Sequence, residues 1–160
     1  MRLEIFTTGG TIDKIYFDAK STFEVGEPQI LEVLREANLS IDYQVVPLLR
    51  KDSLELTDED RQVVRQAVEN STASHIVITH GTDTMIVTAK ALTDIPGKTI
   101  VLTGAMQPAR FRFTDAVFNV AGAMTAAQIL PAGVYIVMNG RVFDPERTRK
   151  NIELNRFEEI

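Results

Sequence analysis

Apolar positions fall in short unbroken blocks along this chain, separated by stretches in which they recur at helical spacing. Five blocks rich in β-branched residues read as strands: Leu3–Thr7, Tyr43–Leu49, His75–Thr79, Thr99–Thr103 and Val134–Met138. Four segments between them read as helices. The first opens at Glu27-Pro28, with proline in the first turn where its missing N–H is harmless, and carries Ile30, Leu34 and Ala37 on one face. The second has Thr57 as N-cap and Asp60 three residues later, a capping-box start, and buries Val63, Val64, Ala67 and Val68. The third begins at Thr82-Asp83-Thr84 and runs through Met85, Ile86, Ala89 and Leu92 until Pro96-Gly97 stops it. The fourth follows Thr114-Asp115, with Val117, Val120, Ala121 and Met124 on one face. Unbroken apolar strands joined by helices predict a mostly parallel sheet covered on both faces, because parallel strands need crossovers. The expected fold is a doubly wound, Rossmann-like α/β domain occupying residues 1–160. Its charged end, residues 146–160, reads as a short docking segment with Ile152, Leu154 and Phe157 as scattered apolar contacts.

Composition narrows the function classes. The 160 residues carry 17 Lys plus Arg against 22 Asp plus Glu, a net charge of −5, and no cysteine. That excludes a disulfide scaffold, a thiol nucleophile and a cysteine metal site. The acidic balance disfavours nucleic acid as a partner, since phosphate neutralisation needs clustered cations. The first residues, MRLEIFTTGGTID, do not read as a signal peptide, and no run approaches the ~20 apolar residues that cross a bilayer. A cytoplasmic protein without a membrane partner is expected.

In such a sheet ligands bind beyond the carboxyl ends of the strands. The loops there are TTGGTI after the first strand, HGTDT after the third, TGAMQP after the fourth and MNG after the fifth. Glycine lets backbone approach a ligand closely, while Thr, Asp and His bring hydroxyl, carboxylate and imidazole. Each piece has a plainer reading. TTGGTI can be a tight turn, Asp83 can be a helix N-cap, and Arg110-Phe111-Arg112-Phe113 can be a loop anchored by its phenylalanines. His80 has no second His or carboxylate at ligand spacing, so no metal is expected. The glycine turn lacks both GK[ST] and G-x-G-x-x-G, which argues against a nucleotide.

Taken together, TTGGTI, Asp52-Ser53, HGTDTM and GAMQP resemble, in order and spacing, the amino-terminal domain of bacterial-type L-asparaginases, over nearly the whole chain. The resemblance implies an amidohydrolase that needs no cofactor and acts on a small amide. It makes Thr11 the nucleophile, on a lid over residues 12–26, and Thr82 the second catalytic threonine. It also makes Asp83 the group that holds the substrate α-ammonium and Ser53 the group that binds its α-carboxylate, with backbone N–H groups near Gly10, Thr11 and Thr82 facing the oxyanion. The chemistry agrees: a threonine hydroxyl is a weak nucleophile until a base takes its proton.

Three departures from the family pattern stand out. The lid position that carries a tyrosine in relatives is Phe23, which leaves Tyr16 as the lid hydroxyl that could swing in. The family lysine that pairs with the second threonine is expected on the helix before the last strand, where this chain has none; the position is empty unless Lys150 folds back. The family's carboxy-terminal domain is not present in these 160 residues. The reading is hydrolysis of L-asparagine or a related amide by Thr11, with Tyr16 assisting proton transfer and Thr82 positioning water. The alternatives are a non-catalytic amino-acid-binding or interaction module, and an amidase for a larger amide. A homo-oligomer, most simply a twofold dimer, is expected because the fourth helix is apolar almost all round.

Overall fold

The computed structural model describes all 160 residues. In chain order the elements are β1 (Arg2–Gly9), β2 (Lys14–Phe17), β3 (Thr22–Val25), α1 (Ile30–Glu36), β4 (Asp42–Lys51), α2 (Asp58–Asn70), β5 (His75–Thr79), α3 (Met85–Lys90), β6 (Thr99–Thr103), α4 (Ala116–Ile129), β7 (Gly133–Met138), β8 (Arg141–Phe143), β9 (Thr148–Asn151) and β10 (Arg156–Glu159). Six strands form one sheet in the order β4-β1-β5-β6-β7-β8. The first five are parallel and β8 is antiparallel to β7. This is the doubly wound α/β architecture, with each of the five expected strands in it. Strand residues alternate between the faces. Leu3, Ile5, Val77 and Val101 pack with α1 and α4, while Phe6, Ile76, Ile78, Ile100 and Leu102 pack with α2 and α3.

The helices differ from expectation in detail. α1 starts two residues after Pro28 and packs Ile30, Val33 and Leu34; Ala37 is exposed at its C-terminal end. The Thr57–Asp60 capping box of α2 is present, but its buried face is Asp60, Arg61, Val64 and Val68, and Val63 faces solvent. Val64 and Val68 pack into the core on that face, and Lys51 Nζ, at the end of β4, holds the Asp60 carboxylate at 2.8 Å. α3 stops at Lys90, and Leu92 and Ile95 are buried from the turn that follows it. On α4 the buried residues include Ala116, Val120, Ala123, Met124 and Ala127, while Val117 and Ala121 point outward.

Two hairpins and the edge strand β8 lie outside the expected set. β2 and β3 pair antiparallel with Tyr16 opposite Phe23, and their turn closes at Ser21 in the left-handed region (φ 51°). β9 and β10 form a second hairpin from the charged end of the chain. The docking contact of that end is Phe157, buried against Phe143 with ring centroids 6.3 Å apart; Ile152 and Leu154 are exposed.

Candidate active site

Three loops meet at the carboxyl edge of the sheet, and glycine is what lets them touch. Gly10 has φ 87° and ψ −173°, a conformation open in practice to glycine alone. A Cβ there would lie 2.4 Å from Gly81 Cα. A Cβ on Gly81 would lie 2.5 Å from Ser53 Cβ and 2.6 Å from Ser53 Oγ. The TTGGTI turn, the HGTDT turn and the Asp52-Ser53 turn are therefore stacked backbone against backbone, which brings Thr11, Thr82 and Ser53 into one place. Ser53 is buried, and its carbonyl accepts a 2.7 Å hydrogen bond from the Thr84 hydroxyl. The Gly10 N–H donates to the Lys51 carbonyl at 2.9 Å and is thus committed to the turn. The Thr82 N–H makes no hydrogen bond within the chain.

Lys150 is the lysine that fills the position left open on the helix before the last parallel strand. It lies on β9, beyond the last parallel strand, and folds back so that Nζ reaches Thr82 Oγ1 at 2.8 Å and Asp83 Oδ1 at 2.6 Å. The period-two alternation of β9 explains the placement: Thr148 and Lys150 turn inward and Arg149 outward. This alternation is the sequence signal that places Lys150. Asp83 does not cap α3, whose N-cap Thr84 makes no side-chain cap bond. Its Oδ1 is held by Lys150 instead.

The β2–β3 hairpin stands over this site. Lys14 and Tyr16 share one face of it, as alternate residues of β2, and Phe23 lies beside Tyr16 across the hairpin. At the foot of that face Lys14 Nζ pairs with Asp52 Oδ2 at 2.8 Å, next to Ser53. Burial opposes the Asp52 charge, but the hydrogen bonds from Lys14 and the Leu54 N–H outweigh it and hold the carboxylate below its usual range. Nothing in the sequence singled Lys14 out. Tyr16 is half exposed, its ring edge-on to Phe23 at 5.4 Å, and Phe23 meets Phe111 edge-on at 5.8 Å. A cleft lined by Lys14, Phe23, Asp52, Leu54 and Glu55 separates the hairpin from the Ser53 turn.

The remaining loops support the site from below. His80 is fully buried, with Nδ1 2.7 Å from the Gly81 carbonyl and Nε2 2.8 Å from the Thr88 hydroxyl. A carbonyl only accepts, so Nδ1 carries the proton and Nε2 accepts from Thr88. Burial pushes its pKa down to about 4, so the ring is neutral and both nitrogens are occupied. The GAMQP loop is fixed by Asp115, whose carboxylate accepts from the Met106 and Gln107 N–H groups at 2.9 and 3.0 Å. The Arg110–Phe113 segment is anchored by Arg110, which bonds Gln29 at 2.8 Å, and by the Phe111 edge contact; Phe113 is 83% exposed and anchors nothing.

Comparison with known proteins identifies the family. Residues 2–157 match the family profile described as Asparaginase, N-terminal. The L-asparaginase of Thermococcus kodakarensis is 31% identical over 170 residues, covering all of this chain and 51% of the relative. A glutamyl-tRNA(Gln) amidotransferase component of Methanococcus vannielii is 40% identical over 88 residues, covering 52% of this chain and 20% of that protein. Among solved structures, the thermostable L-asparaginase from T. kodakarensis superposes with a TM-score of 0.88 at 29% identity, covering 100% of this chain and 51% of that one. A probable cytoplasmic L-asparaginase from Campylobacter jejuni superposes with a TM-score of 0.76 at 26% identity, covering 99% and 51%. The chain spans about half the length of the asparaginases it matches. With the family profile covering nearly every residue, this chain belongs to the asparaginase family, over the part that forms the family's N-terminal domain.

Proposed function

We propose that the chain hydrolyses L-asparagine or a related small amide through Thr11. The observation that carries this reading is Lys150 Nζ bridging Thr82 and Asp83, since it places a cation on the second threonine of the site. Thr11 Oγ attacks the amide carbon, and the oxyanion that forms faces the N–H groups of Thr11 and Thr82. Tyr16 carries the Thr11 proton to the nitrogen, the C–N bond breaks, and ammonia leaves an aspartyl ester on Thr11. Thr82, held by Lys150, positions the water that cleaves the ester and returns the proton to Thr11 Oγ. Asp83 divides its carboxylate between Lys150 and the substrate α-ammonium, and Ser53 takes the α-carboxylate; Gly10 supplies the close turn that aims Thr11. The likeness to a probable cytoplasmic L-asparaginase from C. jejuni supports a cytoplasmic setting.

Tyr16 tests the first step. Tyr16→Phe is expected to lower kcat for asparagine at least about a hundredfold with little change in KM, because general acid–base help acts in the transition state. An unchanged kcat in an ammonia-release assay would remove Tyr16 from the reaction.

We also propose that the chain works as a homo-oligomer. Phe118 and Ile129 on the outer side of α4 are 66% and 74% exposed, and they line an apolar groove closed by Gly140, Arg141 and Val142 at the β8 edge. Exposed apolar side chains grouped around one groove offer a surface on which a second copy can pack. Light scattering at micromolar protein is expected to give at least twice the 17.8 kDa chain mass, and Phe118→Glu to reduce it. A monomeric wild type would contradict the proposal.

A further inference from the structure

The foot of the β2–β3 hairpin is built around a buried carboxyl that the reaction does not use. Asp13 is 1% exposed and sits two residues after Thr11, where the hairpin leaves the site. Its carbonyl accepts the Gly26 N–H at 2.8 Å, which closes the hairpin, and its Oδ1 accepts the Gln29 N–H at 2.8 Å, which fixes the chain just beyond it. Gln29 is in turn held by Arg110 at 2.8 Å, and the Ile12 carbonyl by the Ala109 N–H at 3.0 Å. Both ends of the hairpin thus hang on one residue. Beside Asp13 lies a small cavity of about 190 Å³ lined by Gly26, Pro28, Pro47, Leu48, Leu49 and Arg50.

The charged groups around Asp13 do not neutralise it. From β4, Arg50 faces the cavity, but its guanidinium is paired with Glu27 on the segment that follows the hairpin. Lys51 is taken by Asp60 and Lys14 by Asp52. From the GAMQP side, Arg110 is spent on Gln29. An ionised Asp13 would therefore be buried with one N–H bond and an arginine that Glu27 already holds.

We propose that Asp13 is a positioning residue for this site: its neutral carboxyl clasps the foot of the hairpin, and loss of its proton releases the foot so that the hairpin lifts. Only the statement that the hairpin covers a reacting amide rests on the amidohydrolase reading. Burial raises the Asp13 pKa from 3.8 to about 7 in the clasped form, against the Gln29 hydrogen bond and Arg50, which lower it. Lifting hydrates the carboxyl and restores its ordinary acidity. Between those two values the lifted form binds fewer protons, so lifting becomes more favourable as pH rises and levels off above about 7.

Hydrogen exchange of the Gly26 and Gln29 amides reads the clasp directly and needs no activity. Their protection factors are expected to fall about a hundredfold from about pH 5 to about pH 7 and then to level off. Amides that exchange only through global unfolding, such as those of β5, act as the control. For them Asp13 favours unfolding as pH rises, while His80, depressed from 6.5 to about 4, opposes it over nearly the same range. Their protection is therefore expected to stay nearly flat. Asp13→Asn keeps the acceptor for Gln29 and cannot ionise, so it is expected to flatten the Gly26 and Gln29 profiles. A pH-independent wild-type profile, or a slope that survives in Asp13→Asn, would overturn the proposal; should the variant not fold, the wild-type profile alone decides. A slope in a protein that releases no ammonia would leave the clasp standing and remove the reaction.

Discussion

Thr11→Val is expected to abolish ammonia release, with a loss of about 10³-fold or more in kcat and an unchanged fold. Valine keeps the β-branched shape of threonine and differs by the hydroxyl alone. The turn that aims residue 11 is set by Gly9 and Gly10, at φ 103° and 87°, and by the Gly10–Lys51 hydrogen bond, none of which the substitution touches. Circular dichroism and thermal melting should therefore match wild type while turnover disappears. Activity within a factor of about ten of wild type would show that Thr11 does not carry the acyl group, because a lost covalent step has a far larger effect.

Lys150→Met is the second large effect. The lysine side chain is mostly buried between Thr82 and Asp83, and methionine retains most of its length without the charge. Asp83 is partly exposed, so water can take over from the lost cation and the stability change should stay near that of a surface ion pair, at most about 1 kcal/mol. The reaction loses more: without the cation Thr82 no longer holds the deacylating water, and kcat is expected to fall about 10²–10⁴-fold. Because deacylation is the step removed, intact-protein mass spectrometry after mixing with asparagine should show one aspartyl group on the variant. Unchanged kcat would reduce the Lys150–Thr82–Asp83 contact to a structural tie between β9 and the sheet edge.

The sheet was legible because its central strands β1, β5 and β6 are buried on both faces and so read as unbroken apolar runs, with the edge strand β4 legible from the apolar run Tyr43–Leu49. Helix faces were read less well. Val63 and Val117 fit the apolar spacing yet face solvent, because packing on the sheet selects Val64 and Val68 on α2 and Val120 and Met124 on α4. The loops of the site were legible from their glycines, which serve both the tight turn at Gly9-Gly10 and the close approach of Gly10, Gly81 and Ser53. Lys150 was legible only as the lysine that fills the site if it folds back; that it does so is decided once β9 forms and alternation turns it inward. The β2–β3 hairpin carried β-branched and aromatic residues, but runs of four are too short for a period to show. Asp13 shows the limit most clearly: its chemistry comes from burial by residues far along the chain, among them Leu48 and Leu49.

The most direct test is to incubate the purified chain with L-asparagine and follow ammonia and aspartate together, with Thr11→Val alongside. Equal, continuous release of both by wild type and none by the variant is the expected result. Asparagine that raises the melting temperature of wild type without any ammonia would contradict a catalytic site in this chain and leave a domain that binds the amide and does not cleave it.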